Sequence, residues 1–157
     1  MTHPSHDNKR RMKSAARLFA VQALFQMEAS DATLDDVRHQ FETHRLGAEI
    51  DGVKYSDANI TLFRNLLEGA VDHQARIDQT TDRALVAKWP ITRIDPTLRA
   101  LFRAAAAELL LGQTPAKVVI NEFVDVAKAF FPDGREAGFV NAVLDHMARA
   151  LAPDDFS

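Results

Sequence analysis

The sequence contains no cysteine. A disulfide scaffold, a thiolate nucleophile, an iron–sulfur cluster and a Cys-ligated zinc site are therefore excluded. The absence agrees with a reducing compartment. No apolar run reaches the roughly 20 residues that span a bilayer, and the polar, basic N-terminus lacks the apolar stretch of a secretory signal. The simplest expected location is the cytoplasm, with no membrane partner. Catalytic signatures are missing too: there is no H-E-x-x-H, no Gly-rich phosphate loop and no G-x-S-x-G. His39 and His44 stand five apart, on different faces of a helix, and make a poor metal pair. The acid pairs Asp35-Asp36 and Asp154-Asp155 diverge by about 100° on a helix, so they do not converge on one substrate atom. The expectation is a protein without catalytic residues, cofactor or metal. No fixed-period repeat and no low-complexity segment is present.

What remains is ordinary in amount and uneven in placement. The 157 residues are 46% hydrophobic and 26% charged, values normal for one globular domain. A chain of this length buries about two-thirds of its extended surface and needs no staple to fold. The net charge of −3 conceals a segregation. Within residues 1–20, five cations (Lys9, Arg10, Arg11, Lys13 and Arg17) face one acid, Asp7. Residues 21–72 carry four cations and ten acids. A basic end on a mildly acidic chain suggests one surface that faces a polyanion; the bland alternative is a disordered, solvated tail.

The hydrophobic period is helical nearly throughout. Leu18, Val21, Leu24, Phe25 and Met27 space a helix from Ser14 to Glu28, and the basic residues before it continue that helix or form its frayed entrance. Ser30-Asp31 breaks it. Thr33 caps a second helix marked by Leu34, Val37 and Phe41. Residues 46–56 read as a loop, and Ser56 can cap a third helix through Ile60, Phe63, Leu66, Leu67, Ala70 and Val71. A fourth runs over Arg76–Lys88 and ends at Pro90. Asp95-Pro96 is a strong helix start, a capping carboxylate followed by proline at the first helical position. Gly112 stops that helix, and Thr114-Pro115 repeats the start signal. The next helix stops before Pro132. Asp133 and Glu136 have capping-box spacing ahead of a last helix through Phe139, Val140, Val143, Leu144 and Met147. Val118-Val119-Ile120, the one β-like run, sits inside a helical period. The fold class expected is all-α, about seven helices joined by short loops.

Arg10, Lys13 and Arg17, spaced three and four apart, form one stripe on a helix, flanked by Lys9 and Arg11, with the small Ala15 and Ala16 beside it. Such a stripe suits a phosphate backbone; the alternative is a solvated non-core face. Phe25 and Phe139 lie on apolar periods, so core packing is the default and base stacking the alternative if either is exposed near the stripe. Trp89 is either a plug for the short helix or an exposed anchor for a partner.

Several segments, in order, resemble the NusB family of bacterial transcription antitermination factors. They are Lys13-Ser14-Ala15-Ala16-Arg17 running into Ala20-Val21-Gln22-Ala23-Leu24-Phe25; Leu101-Phe102-Arg103 through Glu108-Leu109; Val119-Ile120-Asn121-Glu122 to Ala127-Lys128; and Phe139-Val140-Asn141-Ala142-Val143-Leu144-Asp145. Together they cover roughly residues 9–151. The resemblance implies two small packed helical bundles, about 9–75 and 76–152, between short flexible tails at 1–8 and 153–157. It implies a non-enzymatic adaptor that binds boxA RNA with the ribosomal protein NusE, in a complex that makes RNA polymerase read through terminators in ribosomal RNA operons. By the same resemblance the RNA contacts fall on Lys13 and Arg17, with Arg10 and Arg11 adding charge, on Phe25 as a stacking face, and on Arg135 and Phe139. The partner surface falls around Trp89 and the start of the Asp95 helix, which makes Leu98 the contact and Leu101 core. The chain departs from the family pattern where Phe25 replaces a tyrosine, Ala142 a glycine and Ala107 an aromatic, and where Ser14 and Ala15 stand in place of cations. Two alternatives stay open: an RNA-binding appendage like that of rRNA methyltransferases, which needs an α/β domain that these 157 residues have no room for unless they are a piece of a longer chain, and a protein–protein scaffold, including a homodimer, whose basic stripe is merely solvated.

Overall fold

The structure is a computed structural model that describes residues 6–44, 49–50, 53–54, 57–88 and 94–156. It contains seven α-helices: α1 (His6–Ser30), α2 (Leu34–His44), α3 (Asp57–Asp72), α4 (Gln74–Lys88), α5 (Pro96–Leu111), α6 (Ala116–Phe130) and α7 (Arg135–Leu151). The loop expected after α2 contains a minimal antiparallel pair, β1 (Glu49–Ile50) with β2 (Val53–Lys54), in which Glu49 faces Lys54 and Ile50 faces Val53. A 3-10 helix over Pro153–Phe156 follows α7.

The expected boundaries at Asp31, Thr33, Asp95 and Gly112 have the anticipated chemistry. α1 ends where Asp31 takes a positive φ of 57°, which its short polar side chain tolerates. Thr33 Oγ1 accepts from the Asp36 N–H at 3.1 Å and caps α2. Asp95 accepts from the Thr97 N–H at 2.7 Å, with Pro96 at the first helical position. Gly112, at φ 71°, closes α5 by donating to the Glu108 carbonyl, a conformation that costs glycine nothing.

Two expected starts are built differently. α7 has no capping box: its cap is Gly134 at φ 77°, without a side-chain hydrogen bond. The helix therefore begins one residue later than the Asp133–Glu136 spacing requires, and Glu136 falls too early to reach back. Nor does Thr114 cap α6. The Ala116 N–H donates instead to Asp155 Oδ2 at 2.9 Å, so the chain's C-terminal turn caps a helix 39 residues away. That turn is further held by Arg149, whose guanidinium lies 4.6 Å over the Phe156 ring. The segment expected as a tail is thus a structured clasp on the ends of α6 and α7.

α5 is the axis of the molecule and packs against α1, α3, α4, α6 and α7. Its Ala100, Ala104, Ala105, Ala106 and Ala107 are all buried. A helix buried nearly all round needs small residues, because five neighbours cannot otherwise approach its backbone. Ala107 occupies the position of a family aromatic, and α3 closes on it through Gly69, where a methyl group would come within 3.2 Å of the Ala107 Cβ. One continuous set of buried side chains runs from Ala16 on α1 to Leu151 on α7. Within it Phe19 meets Phe41 edge-on at 6.4 Å and Phe41 stacks on Phe63 at 5.8 Å, joining α1, α2 and α3.

Leu98 belongs to this core. It is 7% exposed on the first turns of α5, and Leu101 is fully buried. The expected partner contact at Leu98 is corrected accordingly: its side chain packs into the core instead of standing free on the first turn of α5. Trp89, the other expected partner residue, lies outside the described residues.

Candidate nucleic-acid interface

α1 is 25 residues long and starts before the apolar period does, because the basic segment is helical. Cations toward the positive end of a helix dipole gain nothing from it, so helix stability does not explain Lys9, Arg10, Arg11 and Lys13. All four are exposed, while Met12 on the same turns is buried. Lys9, Arg11 and Lys13 have no ion-pair partner among the described residues. Arg10, 72% exposed at its side chain, is 3.6 Å from Glu122 of α6.

Arg17 has a different fate from the rest of the expected stripe. The stripe runs inward as α1 passes beneath α5 and α6, and the Arg17 side chain is only 4% exposed. Its Nε and Nη2 donate to the two oxygens of Glu108 on α5, both at 2.8 Å. Nη1 lies 3.4 Å from Glu122 Oε2. Burial pulls the Arg17 pKa down, but the Glu108 hydrogen bonds and the charges of Glu108 and Glu122 outweigh it and hold the group above its ordinary value. It is charged at every working pH and fully engaged inside the protein. The expectation that Arg17 stands in an exposed stripe as an RNA contact is therefore corrected. Its stripe continues into buried Ala20, Val21 and Leu24.

Glu122 joins the anchor to the exposed cations. Besides Arg10 and Arg17 it accepts from Ser14 Oγ at 3.1 Å. Glu108, Glu122 and Ser14 were not singled out from the sequence. Glu108 had a signal, for it is the one acid of α5 and sits among buried alanines and leucines. A second fork, Arg103 to Asp78 at 2.9 and 3.0 Å and to Glu28 at 3.1 Å, ties α5 to α4 and α1 elsewhere on the molecule.

The expected aromatics divide. Phe25 is 39% exposed and lines an open groove of about 370 Å³ with Val21, Gln22, Gln26, Phe41 and Phe130 among its walls. It lies about 18 Å along α1 from Lys13 at 1.5 Å per residue. Phe139 is half-buried and meets Phe102 of α5 edge-on at 6.2 Å, so its ring packs against the core. Arg135, with its side chain 86% exposed at the start of α7, is 3.8 Å from Asp133. α1 packs on α2, α3, α5 and α6, and α7 packs on α4, α5 and α6, so α5 and α6 carry both the helix of the basic entrance and the helix of Arg135. Among the described residues no group of three His, Asp or Glu side chains could hold a metal ion, and no helix is long and apolar enough to cross a membrane.

These features define a class: an all-α protein whose distinctive surface is a cationic helix entrance, fixed from behind by a buried ion pair. The NusB family model matches residues 14–149. The chain belongs to the NusB family, which are non-enzymatic transcription antitermination proteins. It is 46% identical over 155 residues to the transcription antitermination protein NusB of Rhodopseudomonas palustris strain BisB18, covering 98% of this chain and 91% of that protein. The structure of T. maritima NusB has the same fold, with a TM-score of 0.69, 28% identity and 99% of both chains covered. The structure of the antitermination factors NusB and NusE in complex with dsRNA contains a chain of TM-score 0.69 and 25% identity, covering 89% of this chain and 98% of that one.

Proposed function

We propose that this chain binds RNA through Lys9, Arg10, Arg11 and Lys13 at the entrance of α1, and does so together with NusE as an adaptor for RNA polymerase. The observation that carries the reading is the division of labour on α1: four cations stand exposed within two turns, and the fifth, Arg17, is spent on holding that helix to α5. The positive end of the helix dipole adds to the field of the cations, so the entrance attracts a polyanion without any pocket. A relative of the same fold in complex with NusE and dsRNA supports both partners. Phe25 in its groove offers a stacking face along the same helix, and Arg135 adds a further exposed cation.

With only a few phosphate contacts, affinity for RNA alone is modest and rises when NusE adds its own surface. The test is titration of a boxA-like RNA, single-stranded and duplex, with and without NusE, across a salt series. The logarithm of the single-strand binding constant should fall by about 0.7 per phosphate contact for each decade of salt. No binding at low salt with NusE present would falsify the reading. Binding to NusE alone, indifferent to salt and RNA, would favour the scaffold alternative.

A further inference from the structure

We propose that Glu122 is a positioning residue that competes with phosphate for Arg10 and thereby sets the RNA affinity of the α1 entrance. The inference rests on the RNA-binding reading above and adds a restraining element to it. Glu108 already engages Arg17 through two nitrogens at 2.8 Å, so Arg17 does not need a second carboxylate. Glu122 is the surplus anion of the cluster, and its side chain is 11% exposed. Its Oε2 is held by Ser14 Oγ and faces Arg17 Nη1, while Oε1 faces Arg10 Nε. Two cations and two carboxylates thus balance, but only while Arg10 is folded back toward α6.

Arg10 can leave this arrangement easily. Its side chain is largely solvated and its 3.6 Å contact is longer than a hydrogen-bonded fork; such exposed pairs shift an equilibrium by about two- to fivefold. An incoming phosphate offers Arg10 a better-shaped, bidentate acceptor. When Arg10 departs, Glu122 keeps Ser14 and Arg17 and is not orphaned. The cost of the exchange is the lost pair plus the exposure of a negative charge beside the RNA, and Glu122 imposes both.

The test is Glu122→Gln in the full chain. The amide oxygen still accepts from Ser14 and Arg17, but the charge that restrains Arg10 is gone. Binding of a short single-stranded RNA should tighten by about two- to fivefold. Its salt slope should steepen by up to about 0.7, one additional phosphate contact. In an Arg10→Ala background the same substitution should lose most of that gain. An unchanged affinity and slope in folded Glu122→Gln, or a gain undiminished by Arg10→Ala, overturns the proposal. Glu122→Asn makes the same prediction should the Gln variant not fold; loss of the fold in both makes Glu122 a scaffold residue and overturns it equally. Failure of the underlying reading looks different: the unaltered chain then binds no RNA, or binds it with no response to Lys9→Glu and Lys13→Glu.

Discussion

Arg17→Ala is the perturbation on which the division of labour in α1 stands or falls. Glu108 is fully buried, and Arg17 supplies both of its side-chain hydrogen bonds. Removing the guanidinium leaves an unpaired carboxylate in the alanine-packed centre of the molecule. Breaking a buried pair on one side costs about 3–5 kcal/mol, a large share of the roughly 5–15 kcal/mol that holds a domain together. For a chain of this size each kcal/mol moves the melting temperature by about 2–4 °C. The expected drop is therefore about 6–20 °C, read by circular dichroism and confirmed in urea by a shifted midpoint at unchanged slope. Replacing both partners, as in Arg17→Met with Glu108→Leu, removes the desolvation cost together with the attraction. That variant should recover stability to within a few kcal/mol of the unaltered chain or above it. It should still bind RNA, at an affinity lowered by no more than about fivefold, because Glu122 keeps Ser14 but loses Arg17 and so holds Arg10 more firmly. A folded double variant that has lost RNA binding, or a single variant that melts normally, would refute the reasoning and make Arg17 a phosphate ligand.

Other substitutions separate surface from scaffold in the same way. Lys9→Glu with Lys13→Glu should leave the melting temperature within about 4 °C, because each exposed change falls within about 0.5 kcal/mol; RNA affinity and salt slope, measured by titration, should both fall. Leu98→Asp puts an unpaired charge into the core and should unfold the protein or lower its melting temperature by more than about 6 °C, with any loss of NusE binding following the loss of fold. Asp155→Ala removes the cap on α6 and should cost about 0.5–2 kcal/mol, a shift of about 1–8 °C in a thermal melt, without touching the α1 surface. Stability should show no pH dependence from Arg17 or Arg103 near neutrality. Both are raised above their ordinary values, so their contribution is complete below the unfolded-state pKa and is lost only in strong alkali.

The local parts of the fold were legible because their causes are local. Asp95-Pro96, Gly112 and Thr33 each fix a helix end through atoms within four residues, and the apolar periods mark the buried faces of α2, α5, α6 and α7. The parts that were not legible depend on what lies across the chain. Asp155 caps α6 from 39 residues away, and no property of Thr114-Pro115 announces it. Leu98 reads as the edge of a helix until α5 is known to be surrounded. The stripe of Arg10, Lys13 and Arg17 is a correct statement about angles around α1 and says nothing about depth along it. Depth is set by α5 and α6, whose Glu108 and Glu122 enclose Arg17 while Lys9, Arg10, Arg11 and Lys13 stay exposed.

Yet the burial of Arg17 left a trace that local rules can read in retrospect. Arg17 is followed at three, four and seven residues by Ala20, Val21 and Leu24, all buried, so it is a lone cation at the head of an apolar stripe. Glu108 is a lone acid in the apolar run of α5. Each taken alone is an uncompensated charge on a core face, which folding does not tolerate. Taken together they explain one another, 91 residues apart in sequence and 2.8 Å apart in space. The physical requirement that a buried charge be paired thus links two helices that no periodicity connects. By committing Arg17 to the interior, it leaves Lys9, Arg10, Arg11 and Lys13 as the cations of α1 that a polyanion can reach.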